Sequence, residues 1–163
     1  MRNLKRDFFA VLITVGVFAG ITTSANAQPR KGAVAFASGT TIQEPLYSAY
    51  KGVRLGMTAA EARAKLGTPA MKSNDQDYYV FSENETAQIG YDAAHKVISI
   101  SVDYLGGVGA PDYKTVVGGE LGLTANGSLY RMVRYESLGF WVSYNRTTGK
   151  VPMVSITIQK SML

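Results

Sequence analysis

Two stretches of the chain alternate apolar and hydroxyl-bearing residues with a period of two, and that pattern leaves few folds open. Ile98, Ile100 and Val102 alternate with Ser99, Ser101 and Asp103, and Val154, Ile156 and Ile158 alternate with Ser155, Thr157 and Gln159. Successive side chains of a strand point to opposite faces of its sheet, so each stretch buries one face and wets the other. The chain is therefore expected to build antiparallel sheet with one polar side.

The remaining elements fit around those strands. Aromatic and β-branched runs at residues 78–81, 87–91, 129–135 and 140–144 are separated by polar groups with turn character, Asn126-Gly127 among them. Ahead of the first run, Thr58 and Glu61 have the spacing of a capping box, Met57 and Ala62 that of a hydrophobic staple, and Gly67 and Pro69 stop the helix after about two turns. A second short helix is expected over residues 111–117, where Pro111 sits in the first turn and Gly118-Gly119 closes the end. Landmarks such as Gly67 and Gly118, or Tyr91 and Tyr144, recur at an offset of roughly 52 residues. The expected fold class is thus α+β, with two tandem units, each a short helix packed on an antiparallel meander. The units span residues 50–105 and 110–163.

The first 27 residues carry an export pattern. Arg2, Lys5 and Arg6 precede an apolar run of 14 residues from Phe8 to Ile21, and Ala25-Asn26-Ala27 is a small-x-small cleavage site. Fourteen helical residues reach about 21 Å, short of a hydrocarbon core of roughly 30 Å, which favours a cleaved signal over a membrane anchor. Cleavage after Ala27 lowers the net charge from +5 to +3 and leaves a Gly-, Ala- and Ser-rich segment, residues 28–49, expected as a flexible arm. The expected location is periplasmic or secreted. With no Cys there is no lipobox, no disulfide and no thiol nucleophile.

The run Gly56-Met57-Thr58 through Glu61 to Leu66-Gly67-x-Pro69, followed by strands that end in Lys96-Val97-Ile98-Ser99-Ile100, resembles the BamE (SmpA/OmlA) domain. Its apparent doubling is similar to the tandem units of the β-lactamase inhibitor proteins. The likeness covers residues 51–104 directly, and 110–160 through the internal repeat. It implies a periplasmic α+β protein that binds other proteins and has no active site. BamE proteins are typically single-domain lipoproteins, so a doubled chain without Cys fits the inhibitor-like role better than an outer-membrane anchor.

Candidate functional residues follow from the alternation. If Phe140, Val142 and Tyr144 point inward, Trp141 and Ser143 point outward and join Ser99, Ser101, Ser155 and Thr157 on one broad polar face. The sole Trp of the chain on such a face is a natural partner anchor, because Trp supplies contact area at low entropic cost. Two arrangements remain open for it: a partner surface, or cover by residues 28–49 or by the other repeat. Arg131 and Arg134, with Arg146 nearby, are expected as a small basic patch for an acidic partner or phospholipid headgroups. The lone His95 lies in a turn, and Asp75, Asp77, Glu83 and Glu85 lack the spacing of an EF-hand loop, so these acids are expected as solvated turn charge. No catalytic residue, metal ligand, cofactor or nucleic-acid surface is expected. The function expected is a non-catalytic protein-binding module, with an inhibitory role open to it; the alternative is an envelope structural factor supporting outer-membrane assembly through lipid or barrel-protein contacts.

Overall fold

The computed structural model describes residues 43–161. The expected signal segment, residues 1–27, and residues 28–42 of the expected arm lie outside the described residues. Residues 43–49 of that arm are not loose. The Leu46 amide donates to the Tyr135 hydroxyl at 3.4 Å, and Tyr47 packs on the core with its phenol pushed up by burial and by Glu85. Tyr50 and Val53 then close a tight turn through reciprocal backbone hydrogen bonds of 3.0 and 2.8 Å, with Lys51 and Gly52 at positive φ.

Helix α1 (Ala59–Leu66) begins as its caps require. The Glu61 amide donates to the Thr58 hydroxyl at 3.2 Å, and the Thr58 amide donates to the Glu61 carboxylate at 2.7 Å. Ala59 and Ala62 are buried and Leu66 packs beside them. Four strands follow: β1 (Met71–Lys72), β2 (Gln76–Val80), β3 (Glu85–Tyr91) and β4 (Val97–Leu105). A five-residue helix, α2 (Tyr113–Val117), capped by Asp112, leads into β5 (Gly122–Leu123), β6 (Leu129–Tyr135), β7 (Phe140–Arg146) and β8 (Met153–Lys160), with a 3-10 turn at Glu136–Leu138.

The two helix-plus-meander units expected from the sequence are not what forms. Hydrogen bonds run without a break through one eight-stranded antiparallel sheet in the order β1-β2-β3-β4-β8-β7-β6-β5. Among the described residues, only α1 is a helix of any length. The joint is the β4–β8 ladder, where Ile100 lies opposite Ile158 and Val102 opposite Ile156. Separate units would leave these two long strands as bare edges lined with aliphatic side chains, and pairing them removes both edges at once. What remains at the rims are β1 and β5, each two residues long. One core results. Ile89, Ile100, Val142, Ile156 and Ile158 are fully buried in it, under α1, α2 and residues 43–57.

The register carries one irregularity. Gly90 faces Ser99 but Tyr91 faces Val97, so Ile98 is an extra residue in β4. Val97 takes the core position that strict alternation assigns to Ile98, which is instead half-buried.

Candidate functional site

The side of the sheet away from the helices can be written out from the strand registers as three rows. The first runs Arg134, Trp141, Gln159, Ser99, Gly90, Gln76 across β6, β7, β8, β4, β3 and β2. The second runs Met132, Ser143, Thr157, Ser101, Gln88, Tyr78, and the third Tyr130, Asn145, Ser155, Asp103, Thr86, Val80. Directly opposite one another at the end of the face stand Leu105 and Met153. Six strands at about 4.8 Å and four rows at roughly 6.8 Å make a face of about 24 by 20 Å.

Its relief follows from side-chain length. The middle holds Ser99, Ser101, Ser143, Ser155 and Thr157, whereas the margins hold Trp141, Met132 and Tyr130 on one side and Tyr78 and Val80 on the other. The centre is therefore recessed. Ser143 is only 7% exposed there, between Trp141 and Asn145 along its strand and Met132 and Thr157 across it. The hydroxyls are held in place: Ser101 and Thr157 share a hydrogen bond of 3.2 Å across β4 and β8, and Ser155 donates to Asp103 at 2.5 Å. Gly90 belongs to this floor, since a Cβ there would collide with the Ser99 hydroxyl.

Six of the expected partner-binding residues, Trp141, Ser143, Ser155, Thr157, Ser99 and Ser101, lie together on this face, and Arg134 joins them directly opposite Trp141. Arg131 does not. It stands in phase with Val133 and Tyr135 on the helix side, where its Nε donates to the Val117 carbonyl at 3.1 Å and its Nη1 to the Glu120 carbonyl at 3.3 Å. It closes the C-terminal end of α2, as a cation near the last carbonyls of a helix does. The expected Arg131–Arg134 patch is thereby divided between two sides of the sheet. Sequence reasoning overlooked Met71, Val80, Leu105 and Met153, which are large, apolar and exposed on the same face as Trp141. Their alternation with buried neighbours was the available signal: Val80 follows Tyr79, and Leu105 follows Tyr104.

The acidic residues expected as turn charge have different fates. Asp77 is fully buried in β2 and accepts from Arg63 Nε at 2.7 Å, Arg63 Nη2 at 3.0 Å and the Tyr91 hydroxyl at 2.7 Å. Burial pushes this carboxyl up, but the Arg63 and Tyr91 hydrogen bonds outweigh it and hold Asp77 below the ordinary carboxylate range. The neighbouring Tyr79 phenol is pushed up to about 12 by burial and the Asp77 charge. Glu85 accepts from the Tyr50 hydroxyl at 2.9 Å and pairs with Lys51 at 3.3 Å, fastening the leading segment to β3. His95 sits in the β3–β4 turn at φ 54, its Nδ1 3.2 Å from the Asn74 carbonyl. Among the described residues no three His, Asp or Glu side chains gather closely enough to hold a metal ion. These networks lock elements together on the helix side, away from the recessed face.

Compared with known proteins, the chain matches no family model, no curated protein and no solved structure.

Proposed function

We propose that the chain is an exported, non-catalytic module that binds another protein through the recessed face of its sheet. The observation that carries this is the composition of that face: a floor of oriented hydroxyls bordered by Trp141, Arg134, Tyr130 and Met132, with four exposed apolar side chains, Met71, Val80, Leu105 and Met153, at its margins. Protein interfaces are enriched in Trp, Tyr, Met and Arg and combine an apolar anchor with a polar surround. Trp141 is the anchor, and the Arg134 guanidinium across from it selects an acidic or carbonyl-rich partner. The rigid ladder beneath, from β2 to β6, presents these groups with little ordering cost on association.

Size bears on affinity. A face of roughly 24 by 20 Å, about 480 Å², falls in the smaller class of specific interfaces, below about 600 Å² per partner, so few residues are expected to dominate. The N-terminal Arg2, Lys5, Arg6 and apolar run support export, and the Gly56-Met57-Thr58 to Pro69 likeness to BamE-type domains supports an envelope setting. The reading no longer leans on a doubled unit, since the sheet is continuous.

The test is affinity capture from crosslinked envelope extract with the parent chain and with Trp141→Ser, followed by titration of the purified partner. The proposal expects binding that weakens at least about tenfold in Trp141→Ser, the loss typical of an aromatic anchor residue. Equal affinity of the two folded proteins would overturn it.

A further inference from the structure

On the opposite side of the sheet, at the end where β4 starts and β8 finishes, the structure opens a cleft of about 620 Å³. Such a volume is ordinary for a small-molecule site, which spans roughly 300–1,000 Å³. Its floor and walls are mostly apolar, formed by Leu55, Val97, Ile98, Leu138, Phe140 and Ile158 with Pro45 and Ser48 beside them. Ile98 enters because of the extra residue in β4, a device that re-aims a side chain beside a site. Gly139, at φ 69 in the turn before β7, bounds the cleft without a side chain.

The rim is basic. Arg54, Lys96 and Lys160 border the cleft, from the turn before α1, the start of β4 and the end of β8, and all three side chains are exposed. Asp92 is the sole acid among the lining residues, and one of its carboxylate oxygens is engaged by the Ala94 and Lys96 amides at 2.9 and 2.8 Å. No other described acid pairs with the three cations within salt-bridge distance. An apolar trough with a surplus of positive charge at its mouth complements a molecule with an apolar body and one anionic end.

The backbone around the cleft narrows the choice further. The Gly56 amide donates to the Val97 carbonyl, the Val97 amide to the Met57 carbonyl, the Asp92 amide to the Lys96 carbonyl, and the Ser161 amide to the Gly139 carbonyl. Phe140 and Lys160 are paired in the β7–β8 ladder. No strand edge is therefore offered to a peptide, whose own amides would be buried without partners at a cost for each. An unbroken hydrocarbon chain has no such groups. We infer that this cleft binds a single-chain amphiphilic carboxylate, a fatty acid, with the alkyl chain along Ile98, Phe140 and Ile158 and the carboxylate among Arg54, Lys96 and Lys160.

Isothermal titration of the purified full chain with monomeric dodecanoate tests this, with dodecanol as the uncharged probe and dodecyltrimethylammonium as the cationic one. Saturable uptake of one dodecanoate per chain is expected, about tenfold tighter than dodecanol and weakened by salt, the sum of three exposed ionic contacts. Replacing Arg54, Lys96 and Lys160 together by Ala is expected to bring dodecanoate to the dodecanol level. Leu138→Glu, a change at a residue 45% exposed, places a carboxylate in the trough and is expected to abolish uptake of both while leaving the fold intact. The inference is overturned by equal affinity for dodecanoate and dodecanol, by uptake of many molecules per chain, by binding that survives Leu138→Glu, or by association with phosphatidylglycerol vesicles without uptake of the monomer. The last result assigns the three cations to a membrane surface instead.

Discussion

Removing the Arg63 side chain is the sharpest test of how the helix is tied to the sheet. Asp77 is fully buried, and Arg63 supplies two of its short hydrogen bonds, at 2.7 and 3.0 Å. Breaking a buried pair from the cationic side strands a carboxylate, at a typical cost of about 3–5 kcal/mol. Arg63 itself is 27% exposed, so water reaches the vacated space and the Tyr91 hydroxyl at 2.7 Å remains. The lower end, about 3 kcal/mol, is therefore expected for Arg63→Ala at neutral pH. Urea unfolding followed by far-UV circular dichroism measures it, with an unchanged slope marking a change in stability alone.

The pH dependence supplies a second handle. In the parent, Asp77 titrates below its unfolded value, so between the folded pKa and about 3.9 the unfolded chain holds the proton and the folded one does not. This group's stabilisation is complete above about 3.9 and is lost as pH falls through the folded pKa. Burial is already the largest single influence on Asp77, and without Arg63 only the Tyr91 and Tyr79 hydroxyls oppose it, so the variant's carboxyl rises relative to the parent and takes up its proton at higher pH. The gap between parent and variant is accordingly expected to shrink as pH drops below about 4. A cost under about 1 kcal/mol at pH 7, or a gap that stays constant down to about pH 3, would refute the assignment.

Further outcomes follow from single contacts. Thr58→Ala removes the hydroxyl that accepts from the Glu61 amide, leaving the other half of the capping box to the residue-58 amide, and is expected to cost about 1 kcal/mol in the same urea assay, with the parent restored by Thr58→Ser. Gly90→Ala forces the Ser99 hydroxyl aside and is expected to destabilise by about 1 kcal/mol, whereas Gly90→Ala combined with Ser99→Ala recovers most of that, because the obstructing atom is gone. Val142→Ala hollows the centre of the core and is expected to cost roughly 2–3 kcal/mol, measured as a fall in the urea midpoint.

The long strands are legible in the sequence because alternation is a local property. Residues 129–135 and the start of the strand at Phe140 fall where the pattern puts them, and the capping box at Thr58 and Glu61 is written in four adjacent residues. What is not legible is which strand lies beside which. Nothing in Val154-Ser155-Ile156 specifies β4 as its neighbour, so two four-stranded meanders and one eight-stranded sheet predict the same local pattern. The choice is made by the aliphatic edges of β4 and β8, a property of the assembled sheet. Strands of two residues, β1 and β5, are too short to show a period at all.

The recessed face is legible for the same reason that the strands are. Trp141, Ser143, Ser155 and Thr157 are out of phase with the core residues Val142, Tyr144, Ile156 and Ile158. For Arg131 and Asp77 the side of the sheet is given by phase and not by polarity: Arg131, though exposed, is in step with Val133 and Tyr135, and the fully buried Asp77 with Tyr79. Each is held on the core side by partners distant in sequence, Arg131 by the end of α2 and Asp77 by Arg63, which no single-strand pattern encodes.

Site-specific photo-crosslinking tests the central claim most directly. A benzophenone side chain is placed in turn at Ser99, Gln159 and Gln88 on the recessed face, and at Lys65 of α1 and Lys114 of α2 on the helix side, and each protein is irradiated in the envelope fraction. The account predicts one common adduct from the three face positions, its loss when Trp141→Ser is added, and none from Lys65 or Lys114. Adducts of equal yield from both sets of positions, or face adducts indifferent to Trp141, would contradict it.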